Sequence, residues 1–158
     1  MTFRLTDQAA THGAIKQLLD ANAYVRDTGL DAGLLELVSM RASQINGCAY
    51  CLALHTKTLR AAGEREDRLA VLPAWRETDW FSDRERAALA WAEAVTTLEH
   101  QHVPDEVFQQ ARAEFSEREL ADLTLAIIVI NGWNRLNVAF HTPPVAFAFD
   151  AREEVAAD

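Results

Sequence analysis

Apolar positions recur at three- and four-residue intervals along most of the chain, which is the pattern of helices that bury one face. Leu34, Val38, Ala42 and Ile45 illustrate it. No convincing run alternates apolar and polar residues with β-branched enrichment, and no Asn-Gly or Asp-Gly turn joins two such runs. The sequence therefore predicts an all-α fold, a compact bundle of about six to seven helices.

Capping and turn residues divide this pattern into segments. The predicted helices cover about Gly13 to Arg26, Asp31 to Asn46, Cys48 to Gly63, Arg65 to Leu72, a segment from Ser82, a segment from Pro104, and about Glu117 to Ala139. Ser82 with Glu85, and Ser116 with Glu119, have the spacing of capping boxes. Pro73 is expected to end the fourth helix, and residues 74–81 are expected to form an irregular link.

The last predicted helix is apolar on nearly all of its faces between residues 123 and 130. Such a helix needs cover on every side, and a domain of this size offers little cover beyond its own core. We therefore expect a neighbouring subunit to contribute, which makes the protein a homo-oligomer.

Composition and charge argue against several classes of function for this protein. The 158 residues are 49% hydrophobic and 25% charged, which suits one globular domain over residues 1–158. The net charge of -9 argues against nucleic-acid binding, which needs clustered basic residues. The longest strongly apolar run, residues 125–130, is far shorter than the roughly 20 residues of a membrane span. Residues 1–13 lack a signal-peptide pattern, so we expect a cytoplasmic protein without membrane contact.

The candidate chemistry lies in residues 41–59, where Cys48, Cys51 and His55 follow one another at spacings of three and four. On a helix these spacings place all three side chains along one stripe. Free N–H groups and the positive dipole end at a helix start stabilise a thiolate over a thiol. In a reducing compartment, such a cysteine pair is more often catalytic or metal-binding than a permanent disulfide.

Glu36 lies twelve residues before Cys48 on the preceding predicted helix. If the tight junction at Gly47 folds the two helices together, this carboxylate can reach His55 or a thiol. A carboxylate in contact with a histidine fixes its tautomer and can accept a proton through it.

These residues together resemble the core motif of the alkylhydroperoxidase D family, within the broader carboxymuconolactone decarboxylase-like superfamily. The resemblance rests on Glu36, the CxxC pair and His55, and on residues 36–63 as a core, with INGCAYC at its centre and AAG at its end. The segments TDWFSDRERAALAWAEAV and WNRLNVAFHTPP are also similar to family members. The resemblance implies an all-helical trimer or hexamer that reduces hydroperoxides with its thiols.

Carried over by position, the resemblance implies that Cys51 attacks the peroxide, Cys48 resolves the product, and Glu36 with His55 relays protons. The helix dipole alone instead favours Cys48 as the more acidic thiol, because it is nearer the helix start. Tyr50 stands where the best-known family members carry a second histidine. A phenol can donate a hydrogen bond but is no base at neutral pH.

The implied partners are a small hydroperoxide and an external dithiol reductant, and we expect no bound metal, flavin or haem. Trp80, in the predicted link, is a candidate lining residue of the site.

Other interpretations remain open. The two cysteines can be small buried core residues, or they can bind zinc with His55 and Glu36, although structural zinc sites usually combine two ligand pairs. The superfamily also contains decarboxylases, so the scaffold can bind a small carboxylate while the cysteines act only as redox sensors.

Overall fold

The computed structural model describes residues 2–5, 8–98 and 102–144, with residues 8–11 described by their backbone alone. This part of the chain forms seven α-helices and one 3-10 helix, and it contains no strand. The α-helices are α1 Gln8–Arg26, α2 Ala32–Asn46, α3 Ala49–Ala61, α4 Glu66–Val71, α5 Asp83–Thr97, α6 Asp105–Glu114 and α7 Glu117–Phe140, and the 3-10 helix is Leu72–Glu77. The predicted all-α class is therefore confirmed.

The helix starts follow the predicted capping residues. Ser82 and Ser116 each accept a bond from the backbone N–H three residues later, and each capping box is closed by its glutamate. Hydrogen bonds from the Ser116 backbone N–H and side chain, with Arg84, hold the pKa of Glu119 at about 2. This carboxylate therefore stays charged at neutral pH and keeps α7 capped.

One predicted helix start and one predicted link differ from the structure. α1 begins at Gln8 rather than near Gly13, because one glycine within a helix costs only about 1 kcal/mol and the preceding alanines favour helix. The fourth helix ends at Val71, just before Pro73, as predicted, but the first residues of the expected irregular link belong to the 3-10 helix Leu72–Glu77, with Pro73 in its first turn. Proline fits there because the first turn of a helix leaves its N–H groups unpaired.

α2 is the central helix, and it packs against α3, α5 and α7. Its two apolar faces join two clusters, one with α5, α6 and α7 and one with α3, α4, α5 and the 3-10 helix. Val38 of the first cluster and Leu37 of the second are almost fully buried. The position of α3, which carries the cysteines, is thus fixed by the same helix that carries Glu36.

A half-buried carboxylate joins α2 to α5 and to the 3-10 helix. Glu93 Oε1 accepts bonds from Arg41 Nε at 2.7 Å and from Trp75 Nε1 at 3.0 Å. Its Oε2 accepts from Arg76 at 2.5 Å. Burial acts to raise the pKa of Glu93, but the bonds from Arg76, Trp75 and Arg41 outweigh it and lower the pKa.

α7 was predicted to be apolar on nearly all faces. Its buried side chains nevertheless include the polar residues Asp122, Asn131 and Asn134. Ile128, in contrast, is 56% exposed. Within the described residues, α7 is also the one helix whose length and mean hydropathy of 1.3 would suffice to cross a membrane. A central helix of a globular protein passes the same test, and α7 packs here against α1, α2, α3, α5 and α6.

Candidate active site

The site is built at the tight junction between α2 and α3. Gly47 ends α2 in the left-handed region at φ 64°, a conformation that glycine adopts without steric cost. The Cys48 N–H then bonds to the carbonyl of Ser43 at 3.1 Å. This turn folds α3 back along α2, as the sequence predicted, and it leaves Cys48 as the N-cap of α3.

Cys48 and Cys51 form a disulfide, with their Cα atoms 5.3 Å apart. The two residues are buried, with exposed fractions of 1% and 2%. The Cys48 sulfur also accepts a hydrogen bond from the Cys51 backbone N–H at 3.3 Å, in the manner of an N-cap side chain. The pair therefore lies at the positive end of α3 while shielded from bulk water.

The carboxylate of Glu36 and the imidazole of His55 meet between the two helices. Glu36 Oε2 lies 2.7 Å from His55 Nδ1, and the side chains are 29% and 11% exposed. When the proton of the neutral imidazole is on Nδ1, this N–H donates a hydrogen bond to the carboxylate. Nε2 is then the nitrogen that can exchange a proton with another group. Because His55 follows Cys51 by one helical turn, it shares the stripe of the cysteines.

A further side chain reaches the site from α7. Asn137 Nδ2 donates to the Cys51 sulfur across 3.5 Å, although the two residues are 86 positions apart in the chain. Cys51 therefore contacts Cys48 at the start of α3 and Asn137 on α7, and these two helices pack directly against each other.

Two other asparagines of α7 anchor this helix to the α2–α3 junction. The Asn46 amide donates to Asn131 at 2.8 Å and to Asn134 at 2.9 Å. Asn134, which is fully buried, donates in turn to the Ser43 hydroxyl at 3.0 Å. Leaving any one of these buried groups unpaired costs about 1–3 kcal/mol, so the network holds the junction firmly.

Sequence reasoning missed this role of α7. Asn131, Asn134 and Asn137 are spaced by three and follow the apolar run of α7, which places them along one side of the helix. A repeated amide in an apolar helix indicates a buried hydrogen-bond network. That spacing was the signal available in the sequence.

The two candidate lining residues lie in different parts of the fold. Tyr50 is half-buried in the first turn of α3, between the cysteines. Trp80 is 40% exposed, and the Arg65 guanidinium lies 5.1 Å from its ring centroid. Among the described contacts of Trp80, none joins it to the cysteines or to His55.

In the described ranges, no group of three or more His, Cys, Asp and Glu side chains is arranged to bind a metal ion. The two cysteines, as a disulfide, offer no thiolate ligand.

The helical bundle and its buried CxxC disulfide, with a glutamate and a histidine beside it, define the class of alkylhydroperoxidase D-like proteins. The sequence model of the carboxymuconolactone decarboxylase family matches residues 10–94, more than half of the chain. The chain belongs to this family, as an alkylhydroperoxidase D-like member.

Individual relatives agree with this assignment. The uncharacterized protein YdfG of Bacillus subtilis is 38% identical over 125 residues, which are 79% of this chain and 85% of that protein. A crystal structure from Agrobacterium tumefaciens is 36% identical, with a TM-score of 0.87 over 92% of this chain and all of that one. It is described as a protein of unknown function and a candidate antioxidant defence protein, AhpD.

The debrominase Bmp8 shares the fold at 21% identity, with a TM-score of 0.73 over 82% of this chain and 70% of that one.

Proposed function

We propose that this protein is a thiol-dependent peroxidase that reduces small hydroperoxides with the Cys48–Cys51 pair. The observation that carries the proposal is the Glu36–His55 hydrogen bond beside a cysteine pair that closes as a disulfide. A structural cysteine pair has no need of a proton relay, whereas peroxide reduction needs one both to deprotonate a thiol and to protonate the leaving group. The defence role suggested for the Agrobacterium tumefaciens relative is consistent with this chemistry.

The reaction begins with the reduced pair. His55 takes the proton of the Cys51 thiol, and the thiolate attacks the terminal oxygen of the hydroperoxide. The S–O bond forms as the O–O bond breaks, which oxidises the sulfur to a sulfenic acid and releases an alkoxide. The protonated His55 then gives its proton to the alkoxide, so the product leaves as an alcohol.

The second half closes the cycle. The Cys48 thiol attacks the sulfur of the Cys51 sulfenic acid, and water leaves as the disulfide forms. An external dithiol then reduces this disulfide through a mixed disulfide, which returns both thiols and leaves the reductant oxidised. A cytoplasmic location would supply such reductants, and a homo-oligomer, a trimer or hexamer, would cover the exposed apolar residues of α7.

Glu36 contacts His55 and lies nearer the solvent than the cysteines do. Its side chain is 29% exposed, whereas the cysteines are almost completely buried. A negative carboxylate next to the imidazole stabilises the imidazolium that forms when the thiol is deprotonated. Glu36 is therefore a positioning residue that acts through His55.

Turnover with a chemical dithiol tests the proposal. Purified protein supplied with dithiothreitol should consume cumene hydroperoxide catalytically, with many equivalents reduced per subunit. The matched control is the double variant Cys48→Ser/Cys51→Ser, which should show only the background rate. If the wild type forms its disulfide with peroxide but does not turn over, the protein is a redox sensor and the proposal is wrong.

A further inference from the structure

The two sulfurs of the site receive hydrogen bonds from different parts of the chain. The Cys48 sulfur accepts from the Cys51 backbone N–H, within the first turn of α3. The Cys51 sulfur accepts from the side-chain amide of Asn137, near the end of α7. The donor to Cys48 is a backbone N–H that the first turn of every helix provides. The donor to Cys51 is present only because residue 137 is an asparagine.

Helix geometry alone would favour the wrong cysteine for the proposed reaction. The N-cap sulfur of Cys48 is nearest to the free N–H groups and to the positive dipole end, and both stabilise a thiolate. Cys51 lies one turn further along and gains less from the same dipole. If Cys51 is the nucleophile, its thiolate must be stabilised by side chains rather than by the dipole; His55 is one such group, and Asn137 is the one that donates directly to the sulfur.

We infer that the amide donor of Asn137 selects Cys51 as the attacking thiol. The inference rests on the proposed function for its catalytic meaning. A hydrogen bond to an ionised acceptor is about twice as strong as one between neutral groups, so the amide favours thiolate over thiol. Asn137 is then a catalytic residue, because it contacts the reacting sulfur itself.

Hydrogen bonds near the end of α7 position the side-chain amide of Asn137. The backbone carbonyl of Asn137 accepts a hydrogen bond from the Thr142 N–H at 2.9 Å. His141 closes this turn with a left-handed backbone conformation. One turn earlier, Asn134 is bonded to Ser43 of α2. The first bond keeps the last turn of α7 regular around Asn137, and the bond to Ser43 limits movement of α7 relative to the α2–α3 junction, so the donor is positioned before the peroxide arrives.

The direction of the amide follows from the chemistry of its partner. A thiolate offers only lone pairs, and the carbonyl end of the asparagine would repel it. The NH₂ end must therefore face Cys51 in the reduced protein, as it does toward the disulfide. The same donor can then serve the sulfur throughout the cycle.

The test measures the ionisation of Cys51 directly. In a Cys48→Ser background Cys51 is the only thiol, and its thiolate can be titrated by ultraviolet absorbance. Adding Asn137→Leu keeps the side-chain volume and removes the donor, so the midpoint should rise by about one pH unit. Asn137→Asp should raise it further, because a second negative charge then faces the sulfur.

Arg118→Gln, at an exposed polar position in the first turn of α7 and far along the helix from Asn137, is the control and should leave the midpoint unchanged. Circular dichroism identifies folded variants, and Asn137→Asp provides a second measurement if Asn137→Leu does not fold. A midpoint that stays constant in either folded variant overturns the inference. Because the readout needs no peroxide, a protein without peroxidase activity would still show the shift.

Discussion

Cys51→Ser is expected to abolish hydroperoxide reduction, with a rate at least about 10³-fold below that of the wild type. A serine hydroxyl has nearly the same size as a thiol, but it is neither ionised at neutral pH nor able to form the sulfenic acid. The fold should persist, because the substitution changes one buried atom. The rate of cumene hydroperoxide consumption with excess dithiothreitol measures the loss.

Cys48→Ser should fail at a different step of the same reaction. Cys51 can still attack one peroxide, but no neighbouring thiol then displaces water from the sulfenic acid. Mass spectrometry after treatment with dimedone should find the adduct on Cys51 in Cys48→Ser and none in Cys51→Ser. Equal turnover in the two variants, or an adduct on Cys48 in Cys51→Ser with retained activity, would contradict the assigned roles.

Loss of the proton relay should have the second-largest effect. His55→Asn removes the group that exchanges protons with the thiol and the alkoxide, and the rate of Cys51 oxidation should fall by about 10²-fold or more. Glu36→Gln keeps the side-chain shape but removes the charge that stabilises the imidazolium, so a smaller fall is expected. Stopped-flow measurement with reduced protein isolates this step from disulfide reduction.

The two relay variants should not act independently. Glu36 works through His55, so Glu36→Gln should add little to a protein that already carries His55→Asn. Glu106→Gln, the same substitution at an exposed position of α6, controls for the loss of one negative charge. Independent, multiplicative losses would show that Glu36 acts on the sulfur or the substrate by another route.

The local part of the site could be predicted from sequence because local rules govern it. The glycine turn at Gly47 and helical spacing suffice to place the cysteines and His55 on one stripe of α3. The same turn brings Glu36 within 2.7 Å of His55, since α2 and α3 must then run side by side. Each step involves neighbours within about twenty residues.

The rest depends on packing between distant segments. Asn137 meets Cys51 only because α7 crosses α3, and no local pattern specifies that crossing. The last helix appeared apolar on nearly all faces, yet Asn131 and Asn134 are buried in it with hydrogen-bond partners on α2. Trp80 stays a predicted lining residue; its ring lies beside the Arg65 guanidinium, a contact that no local pattern indicated.

A single-turnover experiment tests the central claim most directly. Fully reduced protein is mixed with less than one equivalent of cumene hydroperoxide, without any other reductant, and the alcohol and the remaining thiols are counted. The proposed cycle predicts one alcohol for every two thiols lost, with the loss located by mass spectrometry in a Cys48–Cys51 disulfide. Hydroperoxide that remains intact while both thiols persist would contradict the claim.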